Sequence, residues 1–477
     1  MKTHHRLHQR LLTWLGAFAL LFPAALQAEL TVPTIFSDHM VLQRDQELPV
    51  WGWDTAGAEV TVSIDGKQQK AKAGDDGKWM VKLPAMKAGG PHELVVEGSS
   101  RKAFKDVLVG EVWICSGQSN MEWTVSRSNN SAEEAKNGDH PQIRHIKFGH
   151  RPSEKPATDV PSNGWEVCTP ETVPNFTAVG YFFGRRLQQE LNVPIGLIGS
   201  NWGGTRIEPW TAPEGFKSNP NLKSISDKLD SFPEKNNKGA INHQSALALY
   251  NGMIHPMVPF GVRGAIWYQG ESNNGEGMLY YEKMKALIQG WRTIWNNDDM
   301  PFYFVQLAPF TYGGDPTRLA GIWEAQTRTL RDVPHTGMAV TVDIANLKDI
   351  HPKNKQDVGA RLALWALAQD YGKKDLVVSG PLYRSMKKEG SKIRLTFDHV
   401  GGGLVSRDGE PLSWFTIAGK DGNFVEAKAT IDGDNVVVEC DAVPSPEHVR
   451  FGWSQLAEPN LSNKEGLPAS PFRTDSK

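Results

Sequence analysis

The chain has 477 residues, of which 39% are apolar and 22% charged, with a formal net charge of −2. Such a length is too great for a single core, so about three domains are expected. A near-neutral balance without any long Lys/Arg block leaves no electrostatic case for a nucleic acid or an anionic membrane as partner.

Lys2, His4, His5, Arg6, His8 and Arg10 form a basic start, followed by an almost unbroken apolar run over 11–21 and a small-residue stretch ending at Ala28. The run is about a dozen residues long, short of the ~20 that a membrane-spanning helix needs. Residues 1–28 are therefore expected to be a signal peptide cut near Ala28. The mature chain, from Glu29, would be exported to the periplasm or the extracellular space, with no membrane association.

From 29 to 107, short alternating runs at 41–44, 48–53, 59–64, 79–83 and 92–97 are separated by turn signals such as Asp65-Gly66 and Ala88-Gly-Gly-Pro91. This spacing predicts an N-terminal β-sandwich domain. From 108 to 372 the pattern changes. Buried-strand candidates at 112–115, 195–199, 265–268, 302–307 and 338–342 are interleaved with helical patterns at 179–191, 284–295 and 358–371, and Val358, Leu362, Trp365 and Ala366 share one helix face. Alternating strands and helices predict an α/β domain with a parallel sheet covered on both sides. Polar stretches at 124–140, 150–164 and 217–240 read as loops over one edge. From 373 to 477 strands return, at 376–378, 392–397, 413–418, 435–439 and 448–453, as a C-terminal β-rich domain. Of three cysteines, Cys115 and Cys168 fall in the same domain and are the preferred pair for the one bridge available; the spacing fits no zinc site.

Acyl transfer needs a nucleophile, a base, a group that orients the base, and donors for an oxyanion. Ser119 follows the strand 112–115 in a Gly-bearing turn, which would expose its hydroxyl at the sheet edge. His351 lies between the last strand and the helix opening near Asn354, at the edge where open α/β sheets place their sites. Asp349 is close enough in sequence for a tight turn to bring its carboxylate to the imidazole. Gly203 and Gly204 offer unobstructed backbone N–H groups, and Gln269, Ser272 and Asn273 offer side-chain donors.

Several segments carry a resemblance: FSDHMVLQ (36–43), GEVWICSGQSNMEW (110–123), GGTRIEPW (203–210), WYQGESN (267–273), DIHP (349–352) and NKEGLPASPF (463–472). Together they resemble the SGNH/GDSL hydrolase superfamily, in its sialate O-acetylesterase-like branch, over nearly all of the mature chain. The resemblance implies an SGNH, flavodoxin-like, three-layer α/β/α parallel-sheet hydrolase domain flanked by N- and C-terminal β-sandwich modules. It further implies Ser119 as nucleophile, His351 as base, and Ser119 and Gly203 or Gly204 N–H groups in the oxyanion hole. The superfamily's Asn is displaced by one place here, so Gln269 is preferred to Asn273 as third donor. Its acid usually stands three residues before the His, a place that Lys348 holds; Asp349 is the choice, Asp343 the reserve, and a Ser–His dyad the fallback. The implied reaction hydrolyses O-acetyl esters of a sugar through an acetyl-enzyme, with no metal or organic cofactor. Trp123, Trp202, Trp210, Arg206 and Glu271 border the motifs, and Trp123, Trp202, Arg206 and Glu271 are expected to contact substrate.

Three alternatives stay open at this level. The acetylated sugar is sialic acid, with Arg206 as a carboxylate partner unless that arginine pairs with Glu208, or a plant polysaccharide such as xylan or xyloglucan. Glu271 with a second carboxylate would make a glycoside hydrolase. A non-catalytic sugar-binding protein built from β modules would leave Ser119 inert.

Overall fold

The computed structural model describes residues 29–475, so the signal peptide expected over 1–28 lies outside the described residues. Three sets of strands make up the molecule. The first comprises β1 (Val41–Gln43), β2 (Leu48–Trp53), β3 (Glu59–Ile64), β4 (Lys67–Lys72), β5 (Lys78–Leu83) and β6 (Gly89–Glu97). It passes into β7 (Arg101–Gly117), a 17-residue strand whose last eleven residues are all buried. The domain boundary drawn after 107 thus falls inside one continuous strand. β7 pairs antiparallel with β6 through its first part and parallel with β1 through 108–110. Apolar residues of this first set and of the middle of the chain share one continuous core.

The middle set is β8 (His140–Phe148), β9 (Ser162–Cys168), β10 (Ile195–Asn201), β11 (Gly264–Tyr268), β12 (Phe302–Val305) and β13 (Thr336–Ala339). The strand order is β13-β12-β11-β7-β10-β8-β9. Every neighbouring pair along it is parallel except the edge pair β8–β9. The central sheet is therefore mixed. Five helices matter to the site: α1 (Ser119–Glu122), α2 (Ala178–Leu191), α3 (Met278–Trp295), α4 (Arg318–Asp332) and α5 (Lys355–Gln369). Helix α2 stops at Asn192 and α3 at Asn296, both left-handed, a conformation Asn tolerates at a helix end. Helix α5 starts on Asn354, whose side chain accepts from the Asp357 N–H. Trp113 of β7 packs on Phe183 of α2, while Trp267 of β11, in register with Ser116, packs on Trp291 of α3. Helices α2 and α5 contact each other, as do α3 and α4.

The third set runs from β14 (Leu382–Glu389) to β23 (Phe472–Arg473), through β15 (Lys392–Asp398), β16 (Leu404–Ser406), β17 (Phe415–Ala418), β18 (Val425–Glu426), β19 (Lys428–Asp432), β20 (Asn435–Glu439), β21 (His448–Phe451) and β22 (Leu461–Asn463). It has its own core around Ile393, Phe415 and Phe451. The strand expected at 376–378 is irregular chain instead: Leu376 and Val378 lean on the main core. Strands β8 and β14 carried too little apolar periodicity to be foreseen, since each exposes a polar face; helix α4 does carry it, with Leu319, Ile322 and Trp323 on its buried face, and is an element the sequence reading missed. Cys115 and Cys168 are free thiols. Cys115 lies on β7 and Cys168 on β9, three strands away, or about 14 Å at the usual strand spacing. That separation forbids the expected bridge. Among the described residues, no helix is long and apolar enough to cross a membrane.

Candidate active site

The site lies where the parallel strands end. Gly117 closes β7 with φ at +133°, and a Cβ there would sit 2.2 Å from the Tyr268 carbonyl oxygen. Only glycine lets β7 run this close to β11 before the chain turns. Gln118 is extended and α1 begins at Ser119. From the far side of the sheet, the turn after β13 delivers His351. Its Nε2 stands 2.9 Å from Ser119 Oγ across 232 residues of sequence, a distance at which the hydroxyl donates to an unprotonated imidazole.

Asp349 Oδ1 accepts the His351 backbone N–H at 3.0 Å and lies 3.4 Å from Nδ1. One carboxylate oxygen thus sets the turn and faces the ring nitrogen opposite Ser119. The reserve acid is committed elsewhere: Asp343 takes a two-pronged ion pair from Arg361, at 2.7 and 2.6 Å. Trp123 stacks on the His351 ring at 4.8 Å and 16°. Burial holds the imidazole below its ordinary pKa, aided by the positive charges of Lys355 and Arg127 and opposed by Asp349.

The expected oxyanion donors divide sharply. The Gly203 N–H is already donated to Glu122 Oε2 at 2.7 Å, so it is not free for an oxyanion. Burial would raise the Glu122 carboxyl, but the His150 imidazole at 2.9 Å and the Gly203 N–H hold it below its ordinary value. Gly204 differs: at φ +74° it borders open space, and its N–H has no partner among the described residues. The Ser119 N–H is likewise unpaired among the described residues. Neither third donor is available. The Gln269 amide gives its hydrogens to the Thr205 carbonyl (3.1 Å) and Asn273 Oδ1 (2.8 Å) and accepts from Tyr280. Asn273 donates to Glu208 and Glu276 and accepts from the Ile207 N–H. Both amides are fully buried. They build the floor of the site instead of its donor set.

The expected substrate contacts divide too. Arg206 pairs with Glu208 at 3.0 Å and with Glu276, and the same two carboxylates hold the buried Lys283 ammonium at 2.6 Å each. Two cations on two anions leave no free charge for a ligand, so Arg206 is a structural residue here. The Glu271 carboxylate points inward to Asn120 Nδ2 at 2.6 Å, and its second oxygen is buried without a partner. Trp210 is a fully buried core residue. Trp202, by contrast, is half-buried and sandwiched between His150 (4.3 Å, 6°) and His243 (4.6 Å, 14°). The Gly203 beside it would bring a Cβ to 3.2 Å from Ser119 Cβ, which puts this aromatic stack next to the hydroxyl.

Four contributors carried no sequence signal. His150 lies in a polar stretch that read as a loop, His243 just past another, Arg127 on a polar turn, and Lys355 at a helix start where a solvated lysine is the usual case. Arg127 is exposed over the Trp123 ring at 5.4 Å, and its guanidinium has no carboxylate partner among the described residues. Among the described residues no group of three or more His, Cys, Asp or Glu is arranged to hold a metal ion.

Known proteins resemble this chain over most of its length. Residues 109–367 match the carbohydrate esterase family of sialic acid-specific acetylesterases. The chain is 35% identical to the sialate O-acetylesterase of Homo sapiens over 386 residues, 72% of each chain. It is 32% identical to that of Rattus norvegicus over 423 residues, covering 76% of this chain and 78% of the relative. A crystal structure of a carbohydrate acetylesterase from Xanthomonas citri superimposes with a TM-score of 0.86 at 42% identity, covering 94% of this chain and all of that one.

Proposed function

The chain belongs to the carbohydrate esterase family of sialic acid-specific acetylesterases, and from that premise we propose that it frees acetate from O-acetylated sialic acid through a Ser119–His351–Asp349 acyl-enzyme mechanism. It is a carbohydrate acetylesterase, a carboxylic-ester hydrolase. The observation that carries the mechanism is the 2.9 Å contact between Ser119 Oγ and His351 Nε2.

Ser119 Oγ attacks the acetyl carbonyl carbon while His351 Nε2 takes its proton. The negative oxygen that develops meets the Ser119 and Gly204 N–H groups. Collapse breaks the ester bond, and the imidazolium returns its proton to the departing sugar hydroxyl. A water, deprotonated by His351, then attacks the acetyl-enzyme and releases acetate. Asp349 holds the Nδ1–H tautomer and stabilises the imidazolium.

The lowered His351 pKa fixes the sign of one prediction. Activity needs neutral imidazole, so the acid limb of kcat/KM should have its midpoint below the ordinary histidine value. Asp349→Asn removes the charge that raises this pKa, so kcat should fall while the limb moves to still lower pH. A pH–rate profile that shifts upward would refute the role given to Asp349.

Arg206 being spent on Glu208 and Glu276, Arg127 is the cation we assign to the sialate carboxylate. Arg127→Gln should raise KM for O-acetyl sialic acid about 10- to 100-fold, the loss of one charge-assisted hydrogen bond, with KM for 4-nitrophenyl acetate little changed. Equal effects on both substrates would remove that assignment. A second reading, acetylated xylan or xyloglucan fragments as substrate, draws on the Trp202 stack, a flat surface that suits a neutral sugar ring. Acetate release measured side by side on O-acetyl sialic acid, acetylated xylan and xyloglucan oligosaccharides decides between them. No release from any, together with no labelling of Ser119 by a serine-directed phosphonate, would favour a non-catalytic sugar-binding role.

We read the fold as of the SGNH type, three layers with α2 and α5 on one face of the sheet and α3 and α4 on the other. The facing directions of Trp113 and Trp267 support this. Catalytic residues would then lie in 108–372, between β-sandwich modules at 29–107 and 373–477. Export after cleavage near Ala28 rests on the basic start and apolar run; a secreted chain whose N-terminal mass does not begin near Glu29 would exclude it.

A further inference from the structure

Three side chains behind the reacting pair form a strut that the mechanism above does not use. Asn120 follows Ser119, Lys355 opens α5 four residues after His351, and Glu271 stands in the turn after β11. Lys355 Nζ donates to Asn120 Oδ1 at 2.5 Å. Asn120 Nδ2 donates to Glu271 Oε1 at 2.6 Å and to the Ile350 carbonyl at 3.1 Å. One amide therefore grips the His351 turn at two points, 350 and 355, while being covalently next to Ser119.

The composition of this strut is costly if its task were packing alone. Lys355 is fully buried, over the Tyr268 ring at 5.0 Å and the Trp123 ring at 5.9 Å, with no carboxylate in ion-pair contact among the described residues. Glu271 keeps one buried oxygen unpartnered. An ammonium and a carboxylate separated by an amide forgo their direct attraction, and apolar residues of like size would pack more stably. Burial lowers the Lys355 ammonium to about 7 and raises the Glu271 carboxyl, so each charged form is disfavoured where it stands, and Lys355 carries its charge below about pH 7.

We infer that Lys355, through Asn120 and with Glu271 as counter-anchor, is a positioning residue that fixes the spacing of Ser119 and His351 and supplies a positive charge behind the imidazole. The inference rests on the Ser119–His351 reading given above. Groups charged or titratable around His351 are Asp349 on its own turn, Arg127 on the turn after α1, and Lys355 on α5; those around Lys355 are Glu271, Asp349 and Tyr268 of β11, whose phenol burial keeps protonated.

Lys355→Met keeps the length of the side chain and removes its charge and its donor. In the folded enzyme kcat should fall about 100-fold, the usual effect of misplacing reacting groups by around 1 Å, with KM little changed. The acid limb of kcat/KM should move to higher pH, because a cation that disfavours imidazolium is gone. The double variant Lys355→Met/Glu271→Gln removes both buried charges and guards against a fold left with one unpaired. Thermal stability should recover in it while kcat stays low. Recovery of both, or a folded Lys355→Met enzyme with unchanged kcat and pH profile, would overturn the inference. Serine-directed phosphonate labelling of wild-type Ser119 separates the failures: no labelling refutes the parent reading, whereas labelling with a fully active double variant refutes only the strut.

Discussion

Ser119→Ala should abolish acetate release, with kcat reduced on the order of 10⁶-fold, as happens when a serine hydrolase loses its nucleophile. The physical basis is narrow and therefore testable. Removing one hydroxyl deletes the atom that forms the acyl bond, yet costs only one part-buried hydrogen bond, the 2.9 Å contact to His351. A stability change of about 1 kcal/mol is the expected size for such a loss. The variant should thus fold, bind substrate and do nothing further. His351→Gln should match it within the same order, because nucleophile and base act as a unit and their losses do not add. Acetate release by coupled assay, with near-UV circular dichroism for folding, reads both quantities. A folded Ser119→Ala protein retaining a tenth of wild-type kcat would move the chemistry to other residues.

Glu111→Ala should destabilise the protein by about 3–5 kcal/mol, the range for stripping one partner from a buried ion cluster. Glu111 stands on β7, fully buried. Its carboxylate receives Arg44 (2.5 Å), Arg263 (2.9 and 3.2 Å), Gln43 (3.1 Å) and the Tyr371 hydroxyl (2.9 Å). Arg44 follows β1, Arg263 precedes β11, and Tyr371 lies just past α5, so one anion joins the first β set to the central sheet and its last helix. Alanine leaves two guanidinium groups facing a void. Burial alone would raise the Glu111 pKa, but the two arginines and Gln43 hold it below the ordinary value. A group with a lowered folded pKa stabilises above its unfolded pKa and loses that contribution as pH falls through the folded one. Wild-type stability should therefore decline below about pH 4.5, and Glu111→Ala should flatten that limb. Urea unfolding followed by tryptophan fluorescence at pH 7 and pH 4 tests both; a loss under 1 kcal/mol at pH 7 would show the cluster to be dispensable.

Local chemistry was legible wherever a short segment carries its own constraint. The run 112–115 is buried whichever neighbour it meets, because β-branched and aromatic residues there have no polar face to show. The helix spans at 179–191, 284–295 and 358–371 correspond to α2, α3 and α5 with shifted ends, since their apolar spacing selects one side. A serine after such a strand and a histidine after the last strand could be nominated because parallel sheets gather their turns at one edge. Where the pattern is weak, as in the polar face of β14, the element was invisible, whereas α4 was missed despite the helical spacing of Leu319, Ile322 and Trp323.

What the chain order could not disclose is how hydrogen-bonding capacity is spent. Gly203, Gln269, Asn273, Arg206 and Glu271 all border the right motifs, and each has donors or charge consumed by at least one residue far away in sequence, among Glu122, Thr205, Glu208, Glu276 and Asn120; the near pair Arg206–Glu208 alone could be read from the chain order. Gly204 and Arg127 remain open for the same reason in reverse. The amino-acid sequence by itself determined which groups exist and on which edge of the sheet they gather. Only the folded arrangement decided which of them still have a free proton, lone pair or charge, because each group can satisfy a partner once and the partners are chosen across the fold.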